Sequence, residues 1–144
     1  MIDQLHLAVG VAVIASNALA GAWGGVAWLR RSPSVVFWWL LRVAQAAVVL
    51  QVALGLALVL GGRTPPDGLH LVYGIAPLAV SLVSEAMRVG AAQREIEEAG
   101  DLDAVGHAEQ VMVARRVVRR EMGIMTVGTL LIVTLGLRAA FTAG

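Results

Sequence analysis

The chain has 144 residues, of which 58% are hydrophobic and 15% charged, with a mean hydropathy of +0.79. A soluble domain carries about 25% charged residues, so this composition points to lipid, and the length points to one domain. There is no cysteine, which excludes disulfides, thiolate metal sites, iron–sulfur clusters and covalent c-type haem attachment. The formal net charge of +1 hides an uneven distribution, and all 11 basic residues are Arg, a usage that fits a GC-rich bacterial coding bias.

A membrane-spanning helix needs roughly 20 mainly apolar residues. The first candidate runs from Leu5 to Trp28. Ala18-Leu19-Ala20 resembles a signal-peptide cleavage site, but the N-terminus carries Asp3 and no basic residue, and the apolar run continues past that point. It reads as a retained helix, ended by Arg30-Arg31-Ser32-Pro33 because proline disfavours helical geometry at the residue before it.

The second candidate runs from Val35 to Leu60 and is stopped by Gly61-Gly62; Pro65-Pro66 stiffens the loop, and Asp67 stands where an N-cap for the next helix belongs. The third runs from Leu69 to Met87 and the fourth from about Met122 to Phe141. Between them, about 88–121, the chain is charged but helix-forming. Ala91 to Ala99 favour a helix, Gly100 suits its C-cap, and Asp101 or Asp103 can start the next arm. Val111, Ala114 and Val118 fall on one side of that arm. Headgroup contact suits its arginines, each contributing about 1 kcal/mol near anionic lipid; a docking surface for a partner protein is the sharper alternative.

The expected fold is therefore all-α and integral to the membrane. It is an up-down-up-down bundle of four transmembrane helices, because short loops make consecutive helices antiparallel neighbours. Arg30, Arg31, Arg88, Arg94, Arg115, Arg116, Arg119 and Arg120 fall at one face, and only Arg63 and Arg138 at the other. Basic residues concentrate on the cytoplasmic side. The expectation is thus a bacterial plasma-membrane protein with both termini outside and a cytoplasmic helical hairpin. Trp28, Trp38 and Trp39 sit at the cytoplasmic boundary.

Ionisable groups within a span are costly and point to function. Toward the cytoplasmic side, Arg42 and Gln45 share a face of the second span, and Glu85 and Arg88 lie near the end of the third. An Arg42–Glu85 ion pair would fix helix register. A proton or ion path through Asn17 and Glu85 lacks the second intramembrane carboxylate that a relay needs.

Toward the outer side lie His6, His70, Tyr73 and Arg138. His6 and His70 have similar depth on the first and third spans, which are diagonal partners in such a bundle. With neighbouring axes about 10 Å apart, that diagonal is roughly 14 Å, too wide for direct contact but wide enough for a haem iron between two imidazoles. Gly10, Val13, Asn17, Gly21 and Gly24 follow His6 along a helical stripe, mostly low enough for a flat macrocycle or a close helix. Pro77, Ser81, Ser84 and Glu85 continue the stripe of His70 and Tyr73, and Arg138 could pair with a propionate. The bland alternative leaves the two histidines and Arg138 in the water boundary, with His107 solvated on the hairpin. A quinone would compete for the same pocket.

This layout, four spans with His6 and His70 as candidate axial ligands, resembles the four-helix modules of b-type cytochromes and of haem A synthase. The resemblance implies a haem b bound near the outer face and a redox partner. The other class of function is an accessory or scaffold subunit of a larger membrane complex. No GxSxG, HExxH, P-loop or dinucleotide fingerprint is present, and the arginines lack interleaved aromatics, which argues against nucleic acid as a partner.

Overall fold

The computed structural model describes residues 1–65 and 68–141, and among them it is all helical. The elements are α1 (Ile2–Leu29), α2 (Val35–Leu60), α3 (Gly68–Ala99) and α4 (His107–Phe141). All four are long and apolar enough to cross a membrane. Their outward side chains are apolar too: Leu19, Trp39 and Leu82 are each more than 60% exposed. A soluble bundle is polar on that surface, so this is the layout of a multi-pass membrane protein.

Each helix end has a local cause. Arg31 takes a left-handed φ of 54°, and Ser32 N–H returns to the carbonyl of Ala27 at 3.0 Å, which closes α1 at Leu29, with three residues between it and Pro33. Ser34 caps α2: its Oγ accepts from Phe37 N–H at 3.2 Å and from Trp23 Nε1–H at 2.9 Å, which also ties the turn back to α1. Gly62, at φ 86°, ends α2 in the same way as Arg31 ends α1, with Arg63 N–H bonded to Leu58 O at 3.0 Å. The N-cap expected at Asp67 lies outside the described residues.

The arm between the third and fourth spans differs from expectation at its tip. Gly100 has φ 71° and ends α3, but α4 starts at His107 and not at Asp101 or Asp103. Asp101 instead accepts from its own neighbour Asp103 N–H at 3.0 Å, a short-range turn that competes with helix capping. Gln110 Nε2 then donates to Leu102 O at 2.7 Å, pinning the turn to α4. The inward residue of this arm is Val113; Ala114 is exposed.

In cross-section α1 packs against α2 and α4, and α3 packs against α4 and α2, so α1 and α3 lie on a diagonal. The contacts pair opposite ends of neighbouring helices. Asp3 meets Arg63 at 3.0 Å, Trp23 meets Ser34, and Arg88 meets Glu121 at 2.9 Å. One core cluster, Ala27, Phe37, Leu41, Met122 and Met125, fills the arginine-rich end. A second, Val13, Val48 and Ile132, fills the middle.

Glycine sets the approach of α4 to α1. A Cβ at Gly24 would lie 2.4 Å from the Phe37 ring and 2.5 Å from Thr126 Oγ1, and one at Gly21 would lie 2.8 Å from Leu130. The lower part of the stripe below His6 therefore serves helix packing, not a macrocycle. Asn17 on the same stripe spends its Nδ2 on the carbonyl of Val13 at 2.9 Å.

Candidate functional site

Two polar groupings lie at opposite ends of the bundle. At the arginine-rich end, Glu85 of α3 is the hub. Its Oε1 accepts from Arg42 Nη1 at 2.7 Å and from Gln45 Nε2 at 2.8 Å, and its Oε2 from Arg88 Nε at 2.8 Å. Arg88 also reaches Glu121 of α4 and stacks on the Trp38 ring at 5.6 Å. The group joins α2, α3 and α4 and satisfies its own charges. It holds register and contains no open donor set.

At the other end the structure brings His6, His70 and Tyr73 onto one cavity of about 170 Å³, with Gly10, Pro77 and Gly136 among its walls. A second cavity of about 460 Å³ adjoins it on the side of α2 and the α2–α3 connection. Both are lined by His6, Gln51, His70, Gly74 and Ala139. Cofactor sites run to about 300–1,000 Å³, so the two spaces flanking the imidazoles together suit a group of that size. Gly74 borders both spaces, and a Cβ there would meet nothing within 4 Å.

His6 is positioned by α2 as much as by its own helix. Its Nε2 lies 3.3 Å from Gln51 Nε2, and a Cβ at Gly55 would come within 3.3 Å of its Cε1. Its Nδ1 and the Oε1 of Gln51 are both buried with no hydrogen-bond partner. A flip of the Gln51 amide exchanges its oxygen and nitrogen, so that the oxygen accepts the Nε2–H of His6 and Nδ1 keeps its lone pair. A metal-ligating imidazole is normally held in this way.

Tyr73 follows His70 by one helical turn, and its ring carries the Arg138 guanidinium at 5.9 Å. Arg138 itself is exposed and lines neither cavity, so it sits on the rim and not in the pocket. Pro77, a turn deeper and buried, has no N–H, which removes the helical donor of the Tyr73 carbonyl. His107 is exposed at the start of α4, away from this site.

Gln51 is the residue that sequence reasoning passed over. Its signal was present: a second amide, after Gln45, within an apolar run. Its partner became visible only once the antiparallel register of α1 and α2 was known. Among the described residues no three His, Cys, Asp or Glu side chains gather around a common point, so the donor set is two imidazoles. No family model matches the chain, and neither a curated protein nor a solved structure is significantly similar to it.

Proposed function

We propose that this is a small b-type haem protein of the bacterial plasma membrane that passes electrons near its outer face. The observation that carries the reading is the meeting of His6 and His70, from diagonal helices, at two adjoining cavities that they share. A haem held by His6 and His70 would supply a one-electron couple, which suits electron transfer.

The chain's own residues then have distinct tasks. His6 and His70 would hold the haem through their ring nitrogens. Gln51 accepts the His6 ring N–H and fixes its orientation. Tyr73 borders the pocket, and Arg138 on the rim offers a charge-assisted partner to a propionate. The Glu85 group, at the far end, acts only on helix register.

The orientation follows from the arginines: an up-down-up-down bundle, both termini outside, with the arms of α3 and α4 projecting into the cytoplasm as a helical hairpin. A redox partner or larger membrane complex would then meet the haem at the outer face.

The test is a dithionite-reduced minus oxidised spectrum of the purified protein, beside His6→Ala and His70→Ala variants. A sharp α-band lost in both variants is the expected result. A flat spectrum from cells supplied with ample haem would overturn the reading and put an accessory subunit in its place.

A further inference from the structure

A larger cavity lies elsewhere, and it does not depend on the haem reading. It is a groove of about 970 Å³ between α3 and α4, with Trp28 of α1 in its wall. Over most of its length the lining is apolar, including Ala79, Val83, Val127 and Leu131; at one end it is closed by Arg116, Arg119, Arg120 and Glu95. Two fixed contacts form its floor. Ser84 packs so tightly on Gly128 that a Cβ there would lie 2.4 Å from its Oγ, and the Trp28 ring packs on Gly123 at 2.9 Å by the same measure.

The charged end is built and not merely solvated. Glu95 is only 4% exposed on an arm otherwise covered in charge. Its Oε2 accepts from Arg116 Nε at 3.2 Å and its Oε1 lies 2.7 Å from Arg120 Nε. Each of these contacts engages only the Nε of its guanidinium, leaving the terminal amino groups, which are the better fork for a phosphate. Arg119 has no ion-pair partner among the described residues. Three guanidinium groups against one carboxylate leave this end of the groove with a net charge of +2.

The dimensions match one leaflet. From Arg119 to Leu131 α4 rises about 18 Å at 1.5 Å per residue, slightly more than half of a hydrocarbon core of roughly 30 Å. The arginines thus stand at headgroup level, just before the apolar stretch of α4 begins, while the groove descends to mid-membrane. An apolar channel of leaflet depth under a net-positive mouth has the charge complementarity for one class of molecule. We propose that the groove binds an anionic glycerophospholipid, acyl chains against α3 and α4 and phosphate on Arg119 with Arg116 and Arg120.

The experiment is native mass spectrometry of the full chain, purified in mild detergent and equilibrated with equal amounts of phosphatidylglycerol and phosphatidylcholine of matched acyl chains. Wild type should retain phosphatidylglycerol in preference. Arg119→Gln, which breaks no ion pair, should lower that preference about fivefold, the contribution of one arginine at an anionic surface. Ala79→Trp, which fills the groove and leaves its charge intact, should lower retention of both lipids. Arg94→Gln, on the exposed side of the hairpin, should change neither. Equal retention of the two lipids by wild type would overturn the proposal. So would an Arg94→Gln loss as large as that of Arg119→Gln, which would mean a diffuse basic surface. Displacement of the lipid by excess inorganic phosphate would also overturn it, since acyl chains would then contribute nothing.

Discussion

The side chain with the most unused capacity is Gln51. Its oxygen and the Nδ1 of His6 are both buried without partners, although the two residues touch through their Nε2 atoms. A buried amide or ring nitrogen left unpaired costs about 1–3 kcal/mol, so the pair is poised for a third participant. Gln51→Leu keeps the volume and removes both hydrogen-bonding groups. Loss of the group that holds a metal-bound histidine typically lowers metal affinity about 10–100-fold. The variant should therefore bind haem more weakly, with a midpoint potential shifted from wild type in a potentiometric titration. An unchanged potential at full occupancy would reduce Gln51 to a packing residue. Histidine, tyrosine and arginine announce themselves within an apolar run because their charge or ring has no cheap place there. A neutral glutamine nine residues before the end of its helix is quieter, and its meaning lies in a partner 45 positions away.

At the scale of the helix, glycine spacing is ambiguous until the neighbour is known. The stripe from Gly10 to Gly24 suits either a flat ligand or a close helix, and its two ends have different surroundings in the structure. Gly10 lines the cavity, whereas Gly21 and Gly24 admit α4 and Phe37. Adding one methyl group distinguishes the two uses. Gly24→Ala pushes a Cβ onto a fully buried Phe37 ring, and overpacking of this kind costs about 1–3 kcal/mol. Gly25→Ala meets only Thr126 Cγ2 at 3.8 Å, and replacing a helical glycine by alanine gains up to about 1 kcal/mol. Thermal melting in detergent should fall for the first and hold or rise for the second; equal falls would mean that any loss of glycine on α1 is damaging, whatever its neighbour. Helix existence was legible from hydropathy in all four cases, and the ends at Gly62 and Gly100 from their residue type. The start of α4 was not, because Asp101 has two local uses and the sequence does not rank a turn above a cap.

For the whole molecule, the placement of charge decides which way the bundle faces, and with it where electrons would leave. Four apolar helices could be read from composition alone; the meeting of His6 with Gln51 and of Arg88 with Glu121 depended on packing that no local pattern encodes. Nine arginines, with Arg42 of the Glu85 group among them, gather at the end opposite the histidine cavities, whereas Arg63 and Arg138 stand at the cavity end, the former already paired with Asp3. Arginine is held on the cytoplasmic side during insertion, where short loops weigh most, so the cavity end should face outward. The absence of native cysteine makes this directly measurable. Thr64 in the α2–α3 connection and Asp103 at the tip between α3 and α4 are both exposed, and each can be replaced singly by cysteine in an otherwise unreactive chain. A membrane-impermeant maleimide should label Thr64→Cys in intact cells and Asp103→Cys only after permeabilisation. The reverse pattern would turn the histidine cavities toward the cytoplasm, and an electron-transfer role would then require a partner on that side. Labelling of both in intact cells would mean two insertions of the same chain, in which case the arginine asymmetry does not govern its topology.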